Sequence, residues 1–422
     1  MSTVLDAIEV KKQGGALERE VIEKVVAGFT SGDIPDYQMS ALLMAIRLRG
    51  MGPEETLDLT RAMADSGPRY AFPDCVDKHS TGGVGDKVTL CALPLVAACG
   101  VPVAKLSGRG LGITGGTIDK LEAIPGFEVA LGEQRFRRQV EEVGFALAEA
   151  GELAPADKII YALRDITGTV DSIPLIGSSI VSKKVATGAG HLLYDVKAGS
   201  GAFMGSLEEA RELAQTLIRL SRELGITASA FITDMDTALG AAVGNALEVR
   251  ESVAFLRGEP VRSDLAEVCR DVAIRLLELH GGVDDPSAAV DRALGDGSGY
   301  AKLEEVVRAQ GGDVEALADL PVAALAGEVE APEAGVVAQL DALGVARASL
   351  ALGAGREKKG DAIDPGAGVE QLVRPGDEVE QGQPVARLYG TAGVELALGH
   401  LRGALRISQE PFSPQPHVLE RL

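Results

Sequence analysis

The chain has 422 residues, 46% hydrophobic and 24% charged, with a formal net charge of −21; this size calls for two or three domains, and the composition excludes a disordered chain. The acidity excludes a general nucleic-acid binder, which needs a broad basic face, and docking on anionic membranes; with no Trp and 4% aromatics, stacking platforms for single strands are scarce. Cys75, Cys91, Cys99 and Cys269 form no CxxC pair, so neither a disulfide framework nor a zinc site is expected, and with no leader-like start or membrane-length apolar run the expectation is a soluble, cytoplasmic protein.

Residues 1–66 read as helices. Val21, Ile22, Val25, Val26 and Phe29 make one apolar stripe at helical spacing. A second helix over 36–49 carries Tyr37, Leu42, Leu43, Ile46 and Leu48, and Met39, Leu43 and Met44 are expected in its core. Pro53 with Glu54 and Glu55 opens a third. After Gly67-Pro68 short strands alternate with helices. The strands are expected at Cys75–Asp77, Val101–Lys105, Phe145–Leu147, Leu192–Val196 and Ala228–Ile232. Helices are expected over 88–99, 117–123, 133–143, 206–223, 240–256 and 263–279, with Cys91 and Cys99 as small core residues of the first. This alternation predicts an α/β domain with a mainly parallel sheet. Two helical stretches over 155–188 interrupt the rhythm and pair with the N-terminal helices. From about 325 the texture becomes β-rich. The expected domains are therefore a discontinuous small all-helical domain (1–66 with 155–188), a large α/β phosphate-binding domain (70–152 with 190–325) and a β-rich, α+β C-terminal domain (326–422). Lys358 and Lys359 near the Gly376-Asp377 turn suggest a lipoyl carrier, but an ordinary structural hairpin is the favoured reading.

The stretch with the most chemical character runs from Asp77 to Lys120. Thr-Gly-Gly-x-x-Asp occurs twice there, at Thr81–Asp86 and at Thr114–Asp119. Glycines at this density allow positive φ and close approach to a ligand, and successive N–H groups can cradle an anion. Between Lys78 and Lys120 lie five basic residues (Lys78, Lys87, Lys105, Arg109, Lys120) and two acidic ones (Asp86, Asp119), a local +3 in an acidic chain. Phosphate is the simplest anion for such an island. The glycine loops at 82–85, 108–116 and 199–201 all follow expected strands, where ligands of parallel sheets bind.

No GxxxxGK[ST] loop, dinucleotide fingerprint or GxSxG elbow is present, so no organic cofactor is required. Of the five histidines only His79 sits inside a glycine loop, flanked by Lys78 and Ser80; His191 and His280 read as structural. Ser80, Ser107 and Ser200 suit hydrogen bonding to phosphate oxygens. Phosphate as a co-substrate, acted on through positioning and electrostatics, fits this inventory.

Five phrases then carry a resemblance. They are Lys-His-Ser-Thr-Gly-Gly-Val-Gly-Asp at 78–86, the long Lys-x-Ser-Gly-Arg-Gly-Leu-Gly-x-Thr-Gly-Gly-Thr-x-Asp-Lys-x-Glu at 105–122, Arg164-Asp165-Ile-Thr, Ser179-Ile-Val-Ser-Lys183-Lys184, and Asp195-Val-Lys-Ala-Gly-Ser-Gly-Ala-Phe-Met204. In this order the chain resembles the thymidine and pyrimidine-nucleoside phosphorylases. The resemblance implies a homodimer that splits a pyrimidine nucleoside with phosphate in a cleft between two domains. It implies that Lys78, Ser80, Thr89, Lys105, Ser107 and Thr117 hold phosphate and that Arg164, Ser179 and Lys183 bind the base. It places His79 near the base or the glycosidic bond, as a catalytic residue with Arg164 and Lys183. Leu111, Val170, Ile176 and Phe203 would line the nucleoside pocket.

Two positions depart from the family pattern. Ile113 stands where relatives commonly have a histidine associated with domain closure. Lys87 stands where pyrimidine-type relatives often have Thr beside a potassium site, whose other positions match Gly85, Leu239, Ala242 and Glu251. A lysine ammonium here either lies near that site or points away while its carbonyl still serves the ion, so potassium stays open. Three alternatives remain: a phosphorylase restricted to thymidine, a phosphoribosyltransferase of the anthranilate type, and a non-catalytic binding protein on the same fold.

Overall fold

The computed structural model describes residues 3–110, 115–358, 360–413 and 415–422, with the backbone alone at 318. The chain forms two compact units. One comprises 1–74, 150–192 and 211–230, and the other 75–149, 193–210 and 231–422.

The first unit is mainly helical. In the helix Arg19–Ser31, Ile22, Val25, Val26 and Phe29 are buried, and Gly32 closes it at φ 84°. They meet Met39, Leu42, Leu43 and Ile46 of the helix Asp36–Arg49 and Ile160 and Leu163 of the helix Pro155–Thr167 in one apolar core. Pro53 occupies the first turn of the helix Pro53–Ala64, and Glu55 reaches back to the Gly52 N–H at 2.8 Å. The same carboxylate also accepts from Lys11 Nζ (3.0 Å) and Leu17 N (2.8 Å) inside the protein, so a helix-capping acid ties two further segments down. Met39 and Leu43 are buried as expected, whereas Met44, also expected in the core, is not. Met44, Tyr37 and Leu48 are exposed, because they fall on the face of Asp36–Arg49 opposite its buried stripe.

The second unit is built on a sheet. Among the described residues, six strands lie in the order Val418–Arg421, Thr227–Asp234, Ala189–Ala198, Phe72–Ser80, Val103–Ser107 and Phe145–Glu149. Phe72–Ser80, Val103–Ser107 and Phe145–Glu149 run parallel, and the last strand of the chain closes the other edge antiparallel to Thr227–Asp234. The helix Val88–Ala98 is buried on every side, as helices apolar all round must be. Cys91 is in this core, whereas Cys99, just beyond the helix, is half-buried.

Two differences from the sequence reading matter for the site. The expected helix over 240–256 begins only at Asn245. The residues before it form a turn and the short strand Ala242–Val243, which pairs with Gly368–Gln371 in a sheet with Pro384–Tyr389 and Leu325–Glu330. Apolar residues at 241–243 mimic helical periodicity, but Gly240 and Gly244 break the backbone. The C-terminal stretch is β-rich with two packed helices, Ala342–Ala351 and Val394–Ala404, where a Cβ at Gly344 would come 2.5 Å from that of Ala404. Its Gly376-Asp377 turn folds on itself, Arg374 N donating to Asp377 at 2.9 Å. Lys358 lies outside any strand, its N–H donating to Asp361 at 2.8 Å; Lys359 is outside the described residues. No described helix is long and apolar enough to cross a membrane.

Candidate active site

In the second unit, the parallel register sets the strand ends level. Val76 lies opposite Val103, and from that pair each strand runs on for four residues, one to Ser80 and the other to Ser107, which in turn faces Glu149. Both serines stand at the carboxyl ends of adjacent parallel strands, with the glycine turns just beyond, where α/β sheets place ligands. Thr89 opens the helix that follows the first turn, and Thr117 opens the short helix Thr117–Glu122 that follows the second. His79 is half-buried, its ring edge-on to Tyr194 with centroids 6.2 Å apart.

Behind these hydroxyls lies a buried network of charge. Lys78 Nζ sits 3.0 Å from Asp195 and 3.5 Å from Asp86. Lys197 Nζ sits 2.8 Å from the same oxygen of Asp195, whose other oxygen accepts from Thr233 at 2.6 Å. Lys105 Nζ donates to Lys78 O at 2.6 Å and lies 3.4 Å from Asp77. Lys120 Nζ donates to Asp86 O at 2.7 Å and pairs by charge with Glu248 at 2.8 Å. Burial opposes the charges of Asp86, Asp195 and Lys78. Even so, Lys197, Lys78 and Lys120 hold the Asp86 carboxyl well below its ordinary range, and Lys197 with Lys78 holds Asp195 down. Asp195 and Asp86 in turn raise Lys78. Asp86, Asp195 and Lys78 therefore stay ionised at neutral pH.

The +3 island of the sequence is thus a different object in space. Its lysines are matched by Asp77, Asp195, Glu248 and Glu251, three of which come from distant parts of the chain. Asp195, Lys197 and Lys120 were not among the expected site residues. Asp195 and Lys197 were detectable, since two charges spaced by two on an otherwise apolar strand must share one face.

The repeated phrase has a structural meaning as well. Asp86 accepts from Val88 N at 3.2 Å, and Asp119 accepts from Gly110 N and from Arg356, both at 2.7 Å. Each closing aspartate fastens its own glycine turn. Gly116 admits no side chain, because a Cβ there would lie 2.0 Å from Gly110 N. Arg109 is held by Glu122 at 2.5 Å. Leu111, Ile113 and Thr114 lie outside the described residues. Phe203 is 55% exposed. Ser200 donates to Asp341 at 2.5 Å.

The expected potassium positions form one cluster, with Lys87 at its centre. The Lys87 ammonium donates to Leu239 O at 2.8 Å and Ala242 O at 3.0 Å and pairs with Glu251 at 2.8 Å. Gly85 turns beside it at φ 69°, 2.5 Å from Leu239 O to its notional Cβ. The donor oxygens suit a hard cation, but the ammonium already stands where the ion would be, so the residues do not fit potassium.

The remaining expected residues belong to the helical unit. Ser179 and Lys183 share a face of the helix Ile173–Thr187, Nζ donating to Ser179 Oγ at 3.1 Å and to Asp157. Arg164, fully buried, donates to the carbonyls of Thr169 (3.2 Å), Val170 (2.7 Å) and Leu175 (3.0 Å), tying together the turn between two helices. Val170 and Ile176 are half-buried beside it.

Family models match along the chain. A glycosyl transferase family helical bundle domain matches residues 5–67, the glycosyl transferase family a/b domain matches 72–300, and a pyrimidine nucleoside phosphorylase C-terminal domain matches 336–408. The chain is 46% identical over 424 residues to a thymidine phosphorylase of Mycobacterium tuberculosis, covering 98% of this chain and 97% of the relative. It is 43% identical to the pyrimidine-nucleoside phosphorylase of Geobacillus stearothermophilus, covering 99% of each, and 44% identical to that of Bacillus subtilis, covering 98% of each. Among solved structures, anthranilate phosphoribosyltransferase from Thermus thermophilus shares the fold, with a TM-score of 0.57 at 22% identity over 72% of this chain and 99% of that one. With three family models matched in order along the chain and full-length relatives at 43–46% identity, the chain belongs to the thymidine and pyrimidine-nucleoside phosphorylase family.

Proposed function

We infer that the protein catalyses the phosphorolysis of pyrimidine nucleosides, giving the free base and a pentose 1-phosphate. The observation that carries this reading is the pair of level strand ends, Ser80 and Ser107, backed by buried lysines and followed by two fastened glycine turns. Hydroxyls and backbone N–H groups there suit phosphate oxygens, while Lys78 and Lys105 supply positive charge. Lys78 reaches Asp86 only at 3.5 Å, and phosphate would take over that long contact.

Breaking the C1′–N1 bond builds positive charge on the sugar and negative charge on the base. Phosphate stabilises the first and attacks C1′. Lys183, Ser179 and the N–H groups that Arg164 keeps beyond its three carbonyls meet the second, with His79 donating near the glycosidic bond. A donor of this kind contributes about 3–4 kcal/mol to the transition state. Val170 and Ile176, half-buried in the helical unit, border the base in this reading.

The relatives carry both thymidine and pyrimidine-nucleoside names, so the specificity reading is broad: uridine, thymidine and deoxyuridine. The match of 336–408 to a pyrimidine nucleoside phosphorylase domain favours phosphorolysis over phosphoribosyl transfer. The working form is a homodimer. Tyr37, Met44 and Leu48 are 73%, 37% and 72% exposed and share one face of their helix, and Leu5 and Val10 are exposed on the neighbouring helix Val4–Lys12. Such a face suits a second copy.

The test is release of uracil and thymine from the matched nucleosides with and without inorganic phosphate. Phosphate-dependent release is expected; release that ignores phosphate, or none from any pyrimidine nucleoside, contradicts the reading.

A further inference from the structure

The first glycine turn rests on a buried ammonium group that touches none of the residues assigned to substrate. Lys87 follows directly on Asp86 and is fully buried. Its three partners, Leu239 O, Ala242 O and Glu251, account for the three N–H donors of an ammonium group. Glu251 accepts in addition from Ala241 N at 2.8 Å and Ala242 N at 3.0 Å. One carboxylate thus both pairs with the ammonium and shapes the segment whose carbonyls face it. The packing leaves nothing to spare. A Cβ at Gly240 would come 2.8 Å from both Glu251 oxygens and 2.9 Å from Lys87 Nζ. The C-terminal region joins in, Gln371 Nε2 donating to Gly240 O at 3.0 Å and Gln371 N to Ala241 O at 2.8 Å.

Two carbonyls and a carboxylate converging on one dry point form the donor set of a hard monovalent cation. An ammonium ion and a potassium ion are close in size, and both take oxygen ligands. A tethered ammonium differs in one respect: it cannot leave. Burial disfavours its charge, but Glu251 and Glu248 outweigh that and raise Lys87 above its ordinary range.

We propose that Lys87 is a built-in cation. It replaces a dissolved monovalent ion in bracing the Gly85–Asp86 turn against residues 239–242, and so frees the protein from potassium. Lys87 is a positioning residue. It acts through the turn that ends in Asp86, whose backbone carbonyl accepts from Lys120 and whose carboxylate faces Lys78. A short hydroxyl side chain at 87 would leave an oxygen-lined space that potassium or ammonium fills and that lithium, much smaller, does not.

The experiment uses the full chain and two variants, Lys87→Thr and Lys87→Met, dialysed into choline chloride. Melting temperature and kcat/KM for phosphate are then followed in KCl, NH4Cl, LiCl and choline chloride at one ionic strength. The wild type should show no difference among the salts. Lys87→Thr should melt lower and lose about 10²-fold in kcat/KM in choline or lithium, the scale of a misplaced binding turn. Both quantities should recover saturably with KCl or NH4Cl. Lys87→Met, whose side chain fills the space without charge, should not recover. A saturable potassium response in the wild type overturns the proposal. So does a Lys87→Thr protein that is indifferent to potassium, or one that fails to fold equally in KCl and choline. The melting arm needs no substrate, so its failure is distinguishable from a failure of the phosphorolysis reading.

Discussion

A cation serves a leaving group only through N–H bonds it still has to offer, and the two cations of the helical unit differ in this. Lys183 is 34% exposed on its side chain and holds Ser179 and Asp157. Arg164 commits three of its five N–H groups to carbonyls, and burial pushes its pKa down despite nearby Asp157. On the proposed assignment Lys183→Gln, which can still donate to Asp157, lowers kcat by about 10²–10³-fold with little change in melting. Arg164→Ala lowers both, because three buried carbonyls lose their donor at about 1–3 kcal/mol each. Steady-state kinetics beside thermal melts separate the two; a wild-type kcat in Lys183→Gln, or a wild-type melt in Arg164→Ala, contradicts them. The glycine-loop lysines were legible as a cluster from sequence, but their neutralisation was not. Counting charges along the chain cannot see Asp195 or Glu251, which the fold brings in from more than a hundred residues away.

At the scale of elements, the strand–turn–helix units around Ser80 and Ser107 follow from short apolar runs ending in glycine, and so were readable. The turn before Asn245 was not. Its residues are apolar at helical spacing, and only pairing with Gly368–Gln371, distant in sequence, makes them a strand. Tertiary partners override local preference in this way. The second turn makes a sharp claim of its own. Gly116 abuts Gly110 N and Asp119, so Gly116→Ala must displace the 108–110 backbone. Overpacking of this kind costs about 1–3 kcal/mol, and with Thr117 adjacent the KM for phosphate should rise as well. A melt and a phosphate titration check this; unchanged values would mean that the turn is loosely packed.

For the whole molecule, the helical, α/β and β-rich texture of the chain announced the fold class, since each region keeps one hydrophobic period over many residues. Less visible was the exposed face of Asp36–Arg49, because Tyr37, Met44 and Leu48 look like core by residue type alone. That face predicts a dimer: sedimentation should give twice the chain mass, and Tyr37→Glu with Leu48→Glu should give monomers, whereas a monomeric wild type would remove the argument. Phosphorolysis requires that inorganic phosphate itself becomes bonded to the sugar. Phosphorus NMR of the enzyme with uridine and phosphate tests it most directly. A pentose 1-phosphate signal should grow in step with free uracil, one for one, as the phosphate signal falls. Uracil appearing while the phosphate signal stays constant would contradict it.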